Sequence, residues 1–87
     1  MLSDTLIEFL LQFKKKGSIT KKTQTMFSGL GYYLAIWRLR DDGLILNDGI
    51  TNRNEKVWRL TERGRDIIQL LEKRVSVEKE IEERFKK

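Results

Sequence analysis

The chain has 87 residues, 18 basic and 13 acidic, for a formal charge of +5 with 36% of positions charged. That length suits one small domain, which buries only about two-thirds of the surface its unfolded chain exposes and gains from a packed helix pair or self-association. With no cysteine and no histidine it has no disulfide, no thiolate zinc site, no thiol nucleophile and none of the commonest general base and metal ligand, which excludes most enzyme classes and leaves no metal or cofactor expected.

Ser3 before Asp4 and Thr5 reads as an N-cap, and Leu6, Ile7, Leu10, Leu11 and Phe13 recur at helical spacing until Gly17 follows three lysines. The pattern predicts a helix over residues 4–16. Ser18-Ile19-Thr20 is short and extended, and Thr20 is placed to cap a brief second helix, Lys21 to Phe27. Ser28-Gly29-Leu30-Gly31 reads as a tight turn, after which Tyr32, Ile36 and Leu39 mark the inward stripe of a third helix ending at Gly43. Two short helices around a tight turn suggest a helix-turn-helix.

Leu44-Ile45-Leu46 shifts to strand period, Asp48-Gly49 and Thr51 to Asn54 make a polar loop, and Glu55 to Leu60 alternates, with Trp58 and Leu60 opposite Val57 and Arg59. This is a β-hairpin with an exposed basic loop. Thr61 caps a long last helix from Glu62 to about Lys86. Gly64 in its first turn costs about 1 kcal/mol relative to Ala, which fits another backbone packing closely there. Apolar runs fall far short of the roughly 20 residues that span a bilayer, and Met1-Leu2-Ser3-Asp4 lacks the basic start of a signal peptide. A soluble, cytoplasmic chain is expected, with no membrane partner.

The positive charge is local. Residues 14–40 carry Lys14, Lys15, Lys16, Lys21, Lys22, Arg38 and Arg40 and no acid, a candidate polyanion-facing zone because clustered cations release counterions from phosphates. Alternatively, the lysines ending the first helix complement its dipole and stay solvated.

The order helix, short strand, helix, turn, helix, hairpin, helix resembles that of a winged helix-turn-helix. Its most specific local signal is Leu39-Arg40-Asp41-Asp42-Gly43-Leu44-Ile45 followed, after the hairpin, by Lys56-Val57-Trp58-Arg59-Leu60-Thr61-Glu62-Arg63-Gly64. This pair is similar to the wing region of bacterial and archaeal winged-helix transcription regulators. The resemblance implies an α+β, mainly α fold: a winged helix-turn-helix domain over residues 1–61, with a three-helix core and two-stranded wing, and a C-terminal helix over residues 62–87.

The same resemblance implies double-stranded DNA as partner, with the third helix in the major groove and the wing tip on phosphates or the minor groove. Tyr33, Trp37 and Arg40 share the outward face of that helix, and Arg38 and Arg40 suit phosphates or guanine edges. Lys21, Lys22, Thr23 and Gln24 would anchor phosphates from the second helix, and Arg53 and Lys56 would do so from the wing. Where such regulators carry polar base-reading side chains, this chain has Gly29, Leu30, Gly31, Tyr32 and Tyr33. Tyr33 and Trp37 are therefore equally readable as core, as an interface, or as rings that contact thymine methyls or stack on an unpaired base.

The last helix has two apolar rows: Ile68, Leu71 and Val75, and Ile67, Leu70, Val77 and Ile81, the second interrupted by Arg74 and extended by Phe85. One row suits docking on the domain and the other suits a partner helix, read as a second copy of the chain; folding back within one subunit is the alternative. Similarity in layout to small archaeal winged-helix regulators and chromatin proteins likewise implies a homodimer. The functional expectation is a dimeric transcriptional regulator associated with the nucleoid. The alternatives are a protein-interaction or assembly module and a non-specific chromatin-architectural protein. Catalysis is not expected, because Asp41 and Asp42 are helix neighbours that point about 100° apart.

Overall fold

A computed structural model describes residues 3–85, except for the side chains of Val75 and Phe85; the pairing role expected of Phe85, and the helix end expected near Lys86, lie outside the described residues. The elements are α1 (Asp4–Lys16), α2 (Leu30–Asp41), β1 (Ile45–Ile50), β2 (Lys56–Leu60) and α3 (Glu62–Phe85). Among the described residues the protein is thus α+β and mainly helical, with three helices and one two-stranded antiparallel sheet.

Ser3 caps α1 by accepting the Leu6 amide at 3.3 Å. The buried face of α1 is Phe9, Leu10 and Phe13. Phe9 is its centre, meeting the rings of Phe13, Phe27 and Tyr32 edge-on at 5.2, 4.9 and 6.4 Å. Around it pack Ile19, Ala35, Ile36, Leu39, Leu44, Ile45, Trp58 and Ile68.

The helix expected over Lys21–Phe27 does not form; a turn at Lys21–Thr23 leads into irregular chain. Its side chains take the bonds a helix would make along the backbone. The Thr20 amide donates to Thr23 Oγ1 at 2.9 Å and the Thr23 amide returns to Thr20 Oγ1 at 3.3 Å. The buried Gln24 amide group accepts from the Phe27 amide at 2.9 Å and donates to the carbonyls of Phe27 and Lys21. A run this short, with two β-branched threonines, Thr23 and Thr25, offers little helix propensity against these local bonds.

α2 ends as the sequence predicts. Gly43 adopts φ +76°, and the amides of Gly43 and Leu44 donate to the carbonyls of Arg40 and Leu39, both at 2.9 Å, closing the last turn. The chain then enters β1, which runs past Leu46 through a bulge between Asn47 and Ile50. Asp48-Gly49 accordingly lies within the strand, and the hairpin tip is confined to Thr51–Glu55. The pairing sets Ile45 opposite Leu60 and Asn47 opposite Trp58. On its other side Trp58 exchanges two 2.9 Å backbone bonds with Ile19, so the segment after α1 is stitched to the hairpin.

Thr61 joins hairpin to helix. Its hydroxyl donates to the Gly43 carbonyl at 2.6 Å and accepts the Gly64 amide at 3.0 Å, and its own amide donates to the Leu44 carbonyl at 3.0 Å. Gly64 packs on the same carbonyl: a Cβ there would collide with the Leu44 oxygen and lie 3.1 Å from Leu60 Cδ2. α3 then runs back along α1, burying Ile68, half-burying Ile67 and Leu71, and forming a Lys14–Glu72 ion pair. Beyond Leu71 every residue with a described side chain is exposed. A 24-residue helix is about 36 Å long, and it draws the molecule out to 54 × 25 × 22 Å. Among the described residues no helix is long and apolar enough to cross a membrane.

Gly64→Ala should destabilise the fold by about 2 kcal/mol, because the collision outweighs the roughly 1 kcal/mol helix-propensity gain of alanine. The urea midpoint measures it, and an unchanged or raised midpoint would contradict this packing.

Candidate nucleic-acid interface

Three segments enclose one concave face: the Lys21–Thr23 turn, the outer side of α2 and the hairpin tip. The cleft has a volume of about 760 Å³, and Lys21, Lys22, Tyr33, Trp37, Arg40, Arg53 and Lys56 all line it. Residues separated by up to 35 positions therefore share one surface.

Each wall is built by local chemistry. The turn is set by the Thr20–Thr23 exchange and by Gln24, and it presents Lys21 and Lys22 outward. Lys21 Nζ lies 5.0 Å from the centre of the Tyr33 ring, a cation–π contact that covers one ring face. α2 supplies Tyr33 and Trp37, which are 40% and 45% exposed with ring centres 6.1 Å apart and planes inclined by 34°. The hairpin tip is organised by Thr51, whose hydroxyl accepts the Arg53 and Glu55 amides at 3.3 and 3.2 Å and whose amide donates to the Glu55 carbonyl at 2.8 Å. Asn54 completes the turn at φ +60°. Arg53 and Lys56 thereby face the cleft from a hydrogen-bonded loop.

Other expected contact residues lie elsewhere or are engaged. Gln24 is buried and its amide is consumed by backbone groups, and the Thr23 hydroxyl bonds to Thr20. Arg38 lies outside the cleft lining and pairs with Asp42 at 3.2 Å. Arg40 lines the cleft but pairs with Asp41 at 3.2 Å. Of the α1 lysines, Lys14 binds Glu72 and Lys16 donates to the Thr23 carbonyl.

Sequence reasoning misses Glu55 and the polar end of Tyr32. Both line the cleft, and the Tyr32 hydroxyl and Glu55 Oε2 are buried atoms with no hydrogen-bond partner among the described residues. Glu55 Oε1 is 3.8 Å from Lys22 Nζ, across the gap between tip and turn. Tyr32 reads only as a core position because its ring is one; nothing in helical spacing reveals that its hydroxyl ends without a partner among the described residues. Glu55 reads as the start of a strand, and its role depends on a tip geometry set by Thr51. Among the described residues no cluster of three His, Cys, Asp or Glu side chains could hold a metal ion.

Burial, and secondarily the neighbouring Tyr33 and Glu55, push the Tyr32 hydroxyl from its ordinary value of 10.0 up to about 12. The folded chain then keeps a proton that the unfolded chain releases, so stability is full below pH 10 and declines as pH rises toward 12. Tyr32→Phe should remove this loss. Its stability relative to the unsubstituted protein should improve by roughly 2 kcal/mol between pH 9 and pH 12 in urea titrations. Comparison of the chain with protein families, with characterised proteins and with solved structures found no match.

Proposed function

We propose that this protein binds double-stranded DNA as a homodimer and acts as a transcriptional regulator. In it α2 and the hairpin take the places of a recognition helix and wing, with a turn at Lys21–Thr23 where a winged helix-turn-helix has its other short helix. The observation that carries the reading is the convergence of Lys21, Lys22, Arg40, Arg53 and Lys56 on one concave face, with Glu55 the only acid in its lining among the described residues. Cations so grouped gain from counterion release along phosphate rails, whereas the same cations scattered would not. α2 and the hairpin tip flank the face as a helix and wing would flank a groove and its adjacent backbone.

Dimerisation is supported by one exposed face of α3. Leu70, Val77 and Ile81 are exposed, Leu70 at 65%, on a helix that outruns the rest of the fold. Such a row is unfavourable in water and suits a second copy of the same helix. A two-fold pair would offer two α2 helices to half-sites about 34–36 Å apart.

A second reading, a protein-docking module, draws on Leu30, Leu34 and Trp37, which succeed one another at spacings of four and three and are all exposed. Under it, purified protein would show no affinity for any nucleic acid, and Leu34→Arg would abolish capture of a protein partner.

Duplex binding followed by fluorescence anisotropy should weaken steeply as salt is raised. Lys22→Ala and Arg53→Ala should each weaken it and reduce the slope of log affinity against log salt by about 0.9. Binding indifferent to salt would refute the reading. Leu70→Glu combined with Ile81→Glu should convert a dimer to a monomer in sedimentation equilibrium and lower duplex affinity at least tenfold; a chain already monomeric would refute the dimer.

A further inference from the structure

The cleft holds chemistry that phosphate anchoring does not use. Glu55 places a carboxylate in a basic recess, where it opposes phosphate entry, and its Oε2 is without a hydrogen-bond partner. The Tyr32 hydroxyl, on a residue only 2% exposed, is likewise buried and unpartnered among the described residues, just beneath the same lining. Buried polar atoms are nearly always hydrogen-bonded; these two act on each other electrostatically, and Glu55 Oε1, on a partly exposed side chain and 3.8 Å from Lys22 Nζ, is the acceptor that the cleft offers a ligand. Glu55 needs an N–H donor.

The aromatic rings narrow the ligand further. Trp37 and Tyr33 expose ring faces at the cleft, and Lys21 lies against the Tyr33 ring. A nucleobase has both a flat face and N–H donors on its edge, and its own phosphates would meet Lys22, Arg53 and Lys56. Inside an intact duplex, neither the face nor the pairing edge is accessible. α2 is also poorly equipped for reading a duplex by its edges: of its residues only Arg38 and Arg40 suit bidentate contacts, and each is paired with an aspartate of its own chain.

Resting on the nucleic-acid reading above, we infer that the cleft receives a single unpaired nucleobase, stacked on Trp37 with its N–H edge on Glu55. The favoured substrate is then nucleic acid with an unstacked or single-stranded stretch.

The test compares three fluorescent probes: a short single-stranded DNA, an abasic strand of the same length and charge, and a blunt duplex. The base-bearing strand should bind about tenfold more tightly than the abasic strand, the scale of one base–aromatic stack, and should quench tryptophan emission. Trp37→Ala should erase both the difference and the quench, Trp37→Phe should keep most of the affinity difference, and Glu55→Gln should shrink it. Circular dichroism confirms that each variant folds. Equal affinity for the two strands, without quenching, overturns the inference while salt-sensitive duplex binding leaves the proposed function standing. No affinity for any of the three overturns both.

Discussion

The placement of the hairpin depends on two carbonyl groups at the end of α2. Those of Gly43 and Leu44 are claimed by Thr61, through hydroxyl and amide, and Gly64 is the residue that lets α3 approach them. A helix start is thereby bolted to a helix end with one short strand pair held between. Because Ile45 faces Leu60 directly beside this junction, the register of the sheet is set at its base. The tip can vary in sequence without moving the strands.

The cleft inherits its shape from this junction through lever arms. Arg53 and Lys56 sit at the far end of a hairpin whose root is fixed, and Trp37 and Arg40 sit on the helix that supplies the root. The bulge between Asn47 and Ile50 lies between root and tip, with the Asn47 side-chain Nδ2 donating to the Gly49 and Val57 carbonyls at 3.1 Å. Bulges bend and twist a strand pair, and here one precedes the loop whose side chains close the recess. Arg59 pairs with Asp48 across the hairpin, so that basic side chain is engaged away from the cleft lining.

Much of this is legible in the sequence because the signals are local and redundant. Ser3 and Thr61 as caps, Gly43 as a stop, and Tyr32, Ile36 and Leu39 as an inward stripe each rest on chemistry within a few residues, and Gly64 signals a close approach though its partner, Leu44, lies 20 residues away. The segment after Thr20 misleads for the same reason in reverse. Its apolar and polar spacing allows a helix, but Thr20, Thr23 and Gln24 offer the backbone equivalent bonds at shorter range. Phe9 does not stand out because neighbouring leucines and isoleucines give an equally good period, and only three-dimensional packing ranks one ring above the others. The cleft's basic residues can be named from charge alone, whereas its acid and its phenol cannot, since both depend on where the tip folds back.

The Ile19–Trp58 bridge has a mechanical consequence. It ties the stretch leading into the basic turn to the second strand of the hairpin, making the opposite jaws of the recess parts of a single frame. Their spacing is a dimension of the folded chain rather than an outcome of capture. A ligand that fits the gap is met by walls already standing, so little conformational freedom remains to be surrendered on contact. Selection then falls on the thickness of what enters.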